Sequence, residues 1–298
     1  MKYVKIASFL ALLAMSSTSG AIIIRDDVDD DKYRVPASTL PALADFHQEG
    51  HGVLIAPQWV VTAAHVACMH PNQDVVINGL PRRVAAIIVH PGYKTPPEEL
   101  VQEVLASGEG ARLRAFLASS DDIALVRLTA PVTDVPPVPL YSGDDELGKT
   151  VQLIGKGATG SGDKGIAAQS PHRTLLRRAY NVISSVDDRW ISYTFDAPAS
   201  ALPLEGMSGN GDSGSPVLIL RDTRWELAGL VAWVSSDRDI RTFHGARYGD
   251  GGNNVRISHY RSWIERTISD EDKKRAPPAR GKLSDGLGAG KTSSLAQR

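Results

Sequence analysis

Three residues sit where their side-chain chemistry could be used: His65 in VVTAAHVAC, Asp122 in SDDIALVRL, and Ser213 in the glycine-dense loop EGMSGNGDSGSPV. A serine hydroxyl is a weak nucleophile at neutral pH. It needs a base within hydrogen-bond reach and a carboxylate that holds the base in the useful tautomer. Those three residue types occur here in the order His, Asp, Ser. The glycines around Ser213 suit the same chemistry, because an acyl-transfer site must aim adjacent backbone N–H groups at a developing oxyanion, and residues without a Cβ turn tightly enough to do so. Gly211 and Ser213 are placed to supply that pair of amides. Asp212, between them, would be a buried carboxylate in need of a cationic partner.

The elements that must position these residues read as strands. GVLIAPQWVVTAA, DVVING, RRVAAIIVH, DIALVRL, TVQLIG, SPVLIL and WELAGLVAWV are short, β-branched-rich runs broken by Gly, Pro, Asn and Asp. Many short strands with turn signals imply a sandwich or barrel. Two stretches carry helical spacing instead. One lies within 98–119, with Leu100, Val104 and Leu105; the other is HYRSWIERTI, with Tyr260, Trp263, Ile264 and Ile268. Asp121 and Asp122 fall on opposite faces of an extended segment.

Composition removes other classes. A single cysteine, Cys68, among 298 residues closes no intramolecular disulfide and builds no cysteine zinc site. With 33 Lys+Arg against 34 Asp+Glu, the chain lacks the basic excess of a phosphate-neutralising nucleic-acid binder. Residues 1–21 read as a secretory signal: Lys2 and Lys5, an apolar run from Ile6 to Met15, then small residues through Ala21. Residues 270–298, poor in large apolar side chains, read as a mobile tail.

TAAHVA, DDIALV and GDSGSP resemble, in order, the three signature segments of the chymotrypsin–trypsin family of serine endopeptidases. WELAGLVAW resembles that family's substrate-binding strand. The resemblance covers residues 22–268 and implies an all-β fold of two six-stranded antiparallel barrels with a short C-terminal helix. It places a first barrel at 22–140, a second with the helix at 141–269, and the active site in the cleft between them. It also implies His65 as general base, Asp122 rather than Asp121 as its orienting carboxylate, Ser213 as nucleophile, and Gly211 and Ser213 as the oxyanion hole.

The same resemblance implies that a free N-terminal isoleucine, released by cleavage after Ala21, pairs Ile22 with Asp212, with Ile23 or Ile24 as the alternative first residue. The run DDVDDDK, not followed by an IVGG-like start, reads instead as a solvated acidic stretch. The base of the primary pocket falls at Met207, which carries no charge for a tryptic Lys or Arg. With Trp233 and a narrowing Val234 on its wall, the pocket should take an apolar, small residue.

Departures from the pattern are specific. Gly50 stands where the cysteine partner of the active-site disulfide would be, and Cys68 lies two residues past the usual position; Cys68 reads as a small buried core residue. Ser215 replaces a glycine, and Ala232 replaces a serine that commonly bonds the orienting carboxylate.

Other motifs carry less. GKGATG, Gly155 to Gly160, matches a dinucleotide fingerprint but opens no helix, and reads as a surface loop. GAGKT lacks the leading glycine of a phosphate loop, and HQEGH, His47 to His51, lacks the metalloprotease glutamate. Segment 98–119 reads as an insertion near the cleft, with a substrate-facing lid as an alternative. The resulting expectation is a secreted or periplasmic monomeric serine endopeptidase, acting on protein or peptide substrates, with no cofactor, metal, nucleic acid or membrane partner. The alternative is a binding protein that has kept the fold and lost turnover.

Overall fold

The computed structural model describes residues 22–47, 50–69, 74–167, 175–243 and 245–275. The expected leader at 1–21 lies outside these residues. Two barrels make up the body, and each closes by the same device.

In the first, the strand order is Leu80–Arg82, Val75–Ile77, Leu43–Asp45, His51–Ala56, Trp59–Thr62, Ala124–Leu128, Val84–Val89. The two end strands are separated by Arg83 alone. One bent strand therefore pairs at its start with Val75–Ile77 and at its end with Ala124–Leu128, which makes the seven ladder segments a closed six-stranded barrel with no free edge.

The second barrel repeats this with Leu176–Val182 and Ser185–Val186. The first of these pairs with Thr150–Gly155 and the second with Trp190–Thr194. Gly251–Arg256, Arg224–Ser235 and Pro216–Arg221 complete the ring. Residues near the start of the chain also belong here, although the sequence assigns them to 22–140: Arg34–Val35 pairs with Leu176 and Arg177.

The apolar runs are explained by what they bury. Trp59–Thr62 is buried at every position and reads as a continuous apolar run, whereas Leu176–Val182, with one face more open, alternates. The first core gathers Val53, Leu54, Val61, Ile77, Leu125 and Val126, and continues onto Ile257, Tyr260 and Ile264 of the C-terminal helix. The second gathers Ile22, Ile23, Val151, Leu153, Tyr193 and Met207.

Among the described residues four helices attach to the barrels: α1 (Ala64–Met69), α2 (Glu98–Ser107), α3 (Ala111–Ala118) and α4 (Ile257–Arg275). The helical stretch in 98–119 is thus two helices. Gly108, with φ +81°, caps α2 in the left-handed conformation and turns the chain.

Three expectations are corrected. Helix α4 runs to Arg275, into the segment read as tail from 270, because Asp270 with Lys273 and Glu271 with Lys274 add ion pairs one turn apart; residues beyond 275 lie outside the described ones. Cys68 is exposed, since α1 turns only its first residues, Ala64 to Ala67, inward. The acidic stretch is also not wholly solvated: Asp30 accepts from Arg177 Nε at 2.6 Å and from Arg34, and its carboxyl is held below the usual range by the Arg177 guanidinium.

Candidate active site

His65 and Asp122 are neighbours because their strands are. Thr62 pairs with Ala124, so the residue three past Thr62 and the residue two before Ala124 leave adjacent strands at the same end of the barrel. Asp122 bridges both nitrogens that His65 offers it. One oxygen accepts from the His65 backbone N–H at 2.9 Å and the other meets the ring Nδ1 at 2.7 Å. With Nδ1 donating, Nε2 is left as an acceptor. Both residues are nearly buried, at 9% and 7% exposure, where a charge-assisted bond is strengthened by the low dielectric.

Of the adjacent carboxylates, Asp121 faces elsewhere. It accepts from Arg189 Nε and from the Tyr260 hydroxyl, each at 2.7 Å, and so ties the first barrel to the second and to α4.

Ser213 enters the same cleft from the second barrel. Its loop is fixed by backbone bonds: His51 N to Ser213 O at 2.7 Å, Gly214 N to Val231 O at 2.7 Å, and Asp212 N to Gly209 O at 3.1 Å. Gly214 has φ +75°, and a Cβ there would run into the His51 carbonyl, so only glycine serves. Ser215 is not in the left-handed region, which is why a serine can replace the next glycine. Among the described residues the N–H groups of Gly211 and Ser213 donate to no protein acceptor. Gly211, at φ +86°, holds the turn that leaves them so.

Asp212 is fully buried and bonds three backbone amides: Gly157 at 2.7 Å, Gly209 at 3.0 Å and Ile22 at 3.3 Å. The expected pair with Ile22 is brought together. In the uncut chain, however, that nitrogen is a neutral amide rather than a cation. Burial then pushes the Asp212 carboxyl up to about 6. Ile22 has φ +60°, a strained conformation for a β-branched residue. Its side chain and that of Ile23 are buried, and Ile23–Ile24 forms a small sheet between Gly160–Ser161 and Gly206–Met207.

That sheet corrects two expectations. Met207 does not floor the cleft. It pairs with Ile23 and faces the barrel core, and alternation gives the cleft to the next residue, Ser208. GKGATG is no surface loop but one wall of the Asp212 pocket: a Cβ on Gly157 would fall 2.6 Å from the Asp212 carboxyl carbon, and Ala158 N donates to Asn210 O at 2.6 Å. The signal was its glycine density next to a strand, which serves close approach to a carboxylate and not to a phosphate.

Trp233 and Val234 do line the cleft, as do Leu113, Arg114 and Leu117 of the helical insertion. The Tyr193 hydroxyl lies 3.4 Å from Ser208 Oγ and packs beneath Gly252. Among the described residues no cluster of three or more His, Cys, Asp or Glu is set to hold a metal ion, and no helix is long and apolar enough to cross a membrane.

The chain resembles known proteins over most of its length. A calcium-dependent serine proteinase from Mesocricetus auratus is 26% identical over 258 residues, which is 74% of this chain and 32% of that protein. The chain therefore spans about a third of the length of that relative. Mouse neuropsin, a serine protease expressed in the limbic system of the brain, shares the fold with a TM-score of 0.57 at 21% identity, covering 79% of this chain and 98% of that one. The Trypsin family model matches residues 32–264. The chain, two barrels with a histidine–aspartate pair facing a glycine-bound serine, belongs to the trypsin family of serine proteases.

Proposed function

We propose that this protein is a secreted serine endopeptidase. His65 takes the proton from Ser213, the hydroxyl attacks the scissile carbonyl, the Gly211 and Ser213 amides hold the oxyanion, and His65 protonates the leaving amine before water deacylates the enzyme. The observation that carries this reading is the His65 Nδ1–Asp122 contact of 2.7 Å, in one cleft with Ser213. Such an oriented pair, in a cleft that also holds Ser213, favours turnover over a binding protein that has lost it.

Ile22 is the activating terminus in this reading. Cleavage before it abolishes the strained φ of +60° and turns its nitrogen, 3.3 Å from Asp212, into an ammonium that pairs with the buried carboxylate. Removal of the leader after Ala21 accomplishes this without a further propeptide. The primary pocket, with Ser208 inside and Trp233 and Val234 at its wall, suits an apolar side chain, and its described lining residues offer no carboxylate to Lys or Arg.

An activity-based fluorophosphonate probe applied to the secreted protein, beside Ser213→Ala, tests this. Labelling of the wild type alone, with Ile22 found first by N-terminal sequencing, is the expected result. A folded wild type that stays unlabelled overturns the reading.

A further inference from the structure

The helical insertion is fastened across the cleft. Ile240 N donates to the Gly108 carbonyl at 3.0 Å, and Arg241 Nη1 reaches the Ala106 carbonyl at 3.4 Å. A Cβ on Gly108 would fall 2.7 Å from the Asp239 carboxyl carbon, so the Asp239 side chain packs directly on the bare backbone of the α2–α3 turn. From α3, Arg114 Nη1 donates to the Ser236 carbonyl at 2.6 Å while its Nη2 lies 3.5 Å from the Asp237 carboxylate. At the last residue of α3, Trp190 Nε1 donates to the Ala118 carbonyl at 2.9 Å. Both ends of the insertion are therefore joined to the second barrel. Beneath it, Leu113, Arg114 and Leu117 line the cleft together with Trp233, Ile240 and Phe243.

What this bridge crosses is a strand edge. Arg224–Ser235 pairs with Pro216–Arg221 as far as Leu230, and with Gly251–Arg256 from Gly229 to Ser235. Past Leu230 its other edge carries no strand among the described residues. An extended peptide adds to such an edge through main-chain bonds that recur at every second residue. The Val231 amide and carbonyl are occupied by Ser215 and Gly214, so pairing starts at Ala232 and continues at Val234 and Ser236. The Ser236 carbonyl is already held by Arg114. Two pairing positions stay open, which accommodates about four substrate residues.

We propose that the α2–α3 turn and the 236–241 loop form an end stop on the side of the cleft that receives the substrate's N-terminal portion. Resting on the peptidase reading above, this names the substrate class: oligopeptides with no more than about four residues preceding the cleaved bond. Arg114 and Ile240 set the limit. A fifth residue must displace the Arg114 guanidinium from Ser236 and part the Ile240–Gly108 bond above it.

The test is a fluorogenic amide series sharing one residue at the cleaved bond and carrying two to six residues before it, assayed on the secreted enzyme and on Arg114→Ala/Ile240→Pro. Proline removes the Ile240 donor at the first position of a 3-10 turn, after an Asp239 already at φ −55° and ψ 122°, where the ring is accommodated. In the wild type, kcat/KM should rise to four residues and fall by about tenfold or more at six. In the double variant the ratio of six to four should return to near one. Because the readout is a ratio within each protein, it does not depend on the absolute activity of either. A labelled wild type with a flat or rising profile beyond four overturns the end stop and leaves the peptidase reading standing. An unlabelled wild type overturns both.

Discussion

The two barrels close by the same bent-strand device but hold their halves of the site in different ways. His65 and Asp122 are brought together by adjacent strands of one closed sheet, which end at Thr62 and begin at Ala124. The Ser213 loop is assembled from segments far apart in sequence: Ile22 and Gly157 on Asp212, His51 of the other barrel on Ser213, and Val231 on Gly214. In the proposed mechanism the acid–base half is thus a product of strand pairing, and the nucleophile half depends on whether a remote nitrogen, that of Ile22, is an amide or an ammonium.

The most direct way to break the comparison is to remove the same charge from each half. Asp122→Asn keeps the shape but leaves His65 in the wrong tautomer, so kcat/KM should fall on the order of ten-thousandfold while the fold and Ile22 insertion persist. Asp212→Asn in the protein beginning at Ile22 leaves His65 and Asp122 untouched. By loosening the turn that presents Gly211, it should cost on the order of a hundredfold, mostly in kcat. Steady-state kinetics on a peptide amide measure both. If Asp212→Asn proves as damaging as Asp122→Asn, the oxyanion loop is no mere support and the division between halves fails.

The difference in assembly also explains what could be read in the sequence. Local patterns displayed the strands, the order His65, Asp122, Ser213, and the glycines that allow the 211–214 turn. Met207 was misplaced because which face of a two-residue strand meets the cleft depends on its partner, and Ile23 lies more than a hundred and eighty residues away in the chain. The wall formed by Gly155 to Gly160 was hidden for the same reason, since its packing partner is Asp212. The bridge from α2–α3 to 236–241 rests on backbone carbonyls and on Arg114, which carry no motif. Helical spacing alone marked the insertion without showing what it crosses.

A smaller effect sharpens the conditional half. In the uncut chain the folded Asp212 carboxyl, at about 6, lies above its unfolded value of about 4. The folded state then binds more protons than the unfolded state across that interval, so this group's contribution to stability declines as pH rises from about 4 to about 6, by on the order of 3 kcal/mol. Glu205 shifts in the same direction through burial, while Asp30, Asp121 and Glu146 shift the opposite way. The informative quantity is therefore the difference between two chains. Denaturant unfolding of uncut Ser213→Ala against Ser213→Ala/Asp212→Asn should diverge over this pH range and run parallel outside it. In protein beginning at Ile22 the ammonium pairs with the carboxylate, and the divergence should shrink or reverse.

The smallest effect belongs to the cysteine beside the acid–base half. A Cβ on Gly50 would lie 3.3 Å from the Val66 Cβ, so a valine methyl pair packed over a glycine occupies the space where the family's cross-link would stand. Cys68 lies outside that contact and is exposed on α1. Partial burial of its sulfur and the nearby Asp122 carboxylate push its thiol up, so little thiolate forms at neutral pH and the group is a poor nucleophile. Cys68→Ala should therefore change unfolding free energy by no more than about 0.5 kcal/mol and leave kcat/KM as it was. A loss larger than the Asp212→Asn effect would mean that α1, and with it His65, is held by this side chain. The acid–base half would then rest on more than strand pairing.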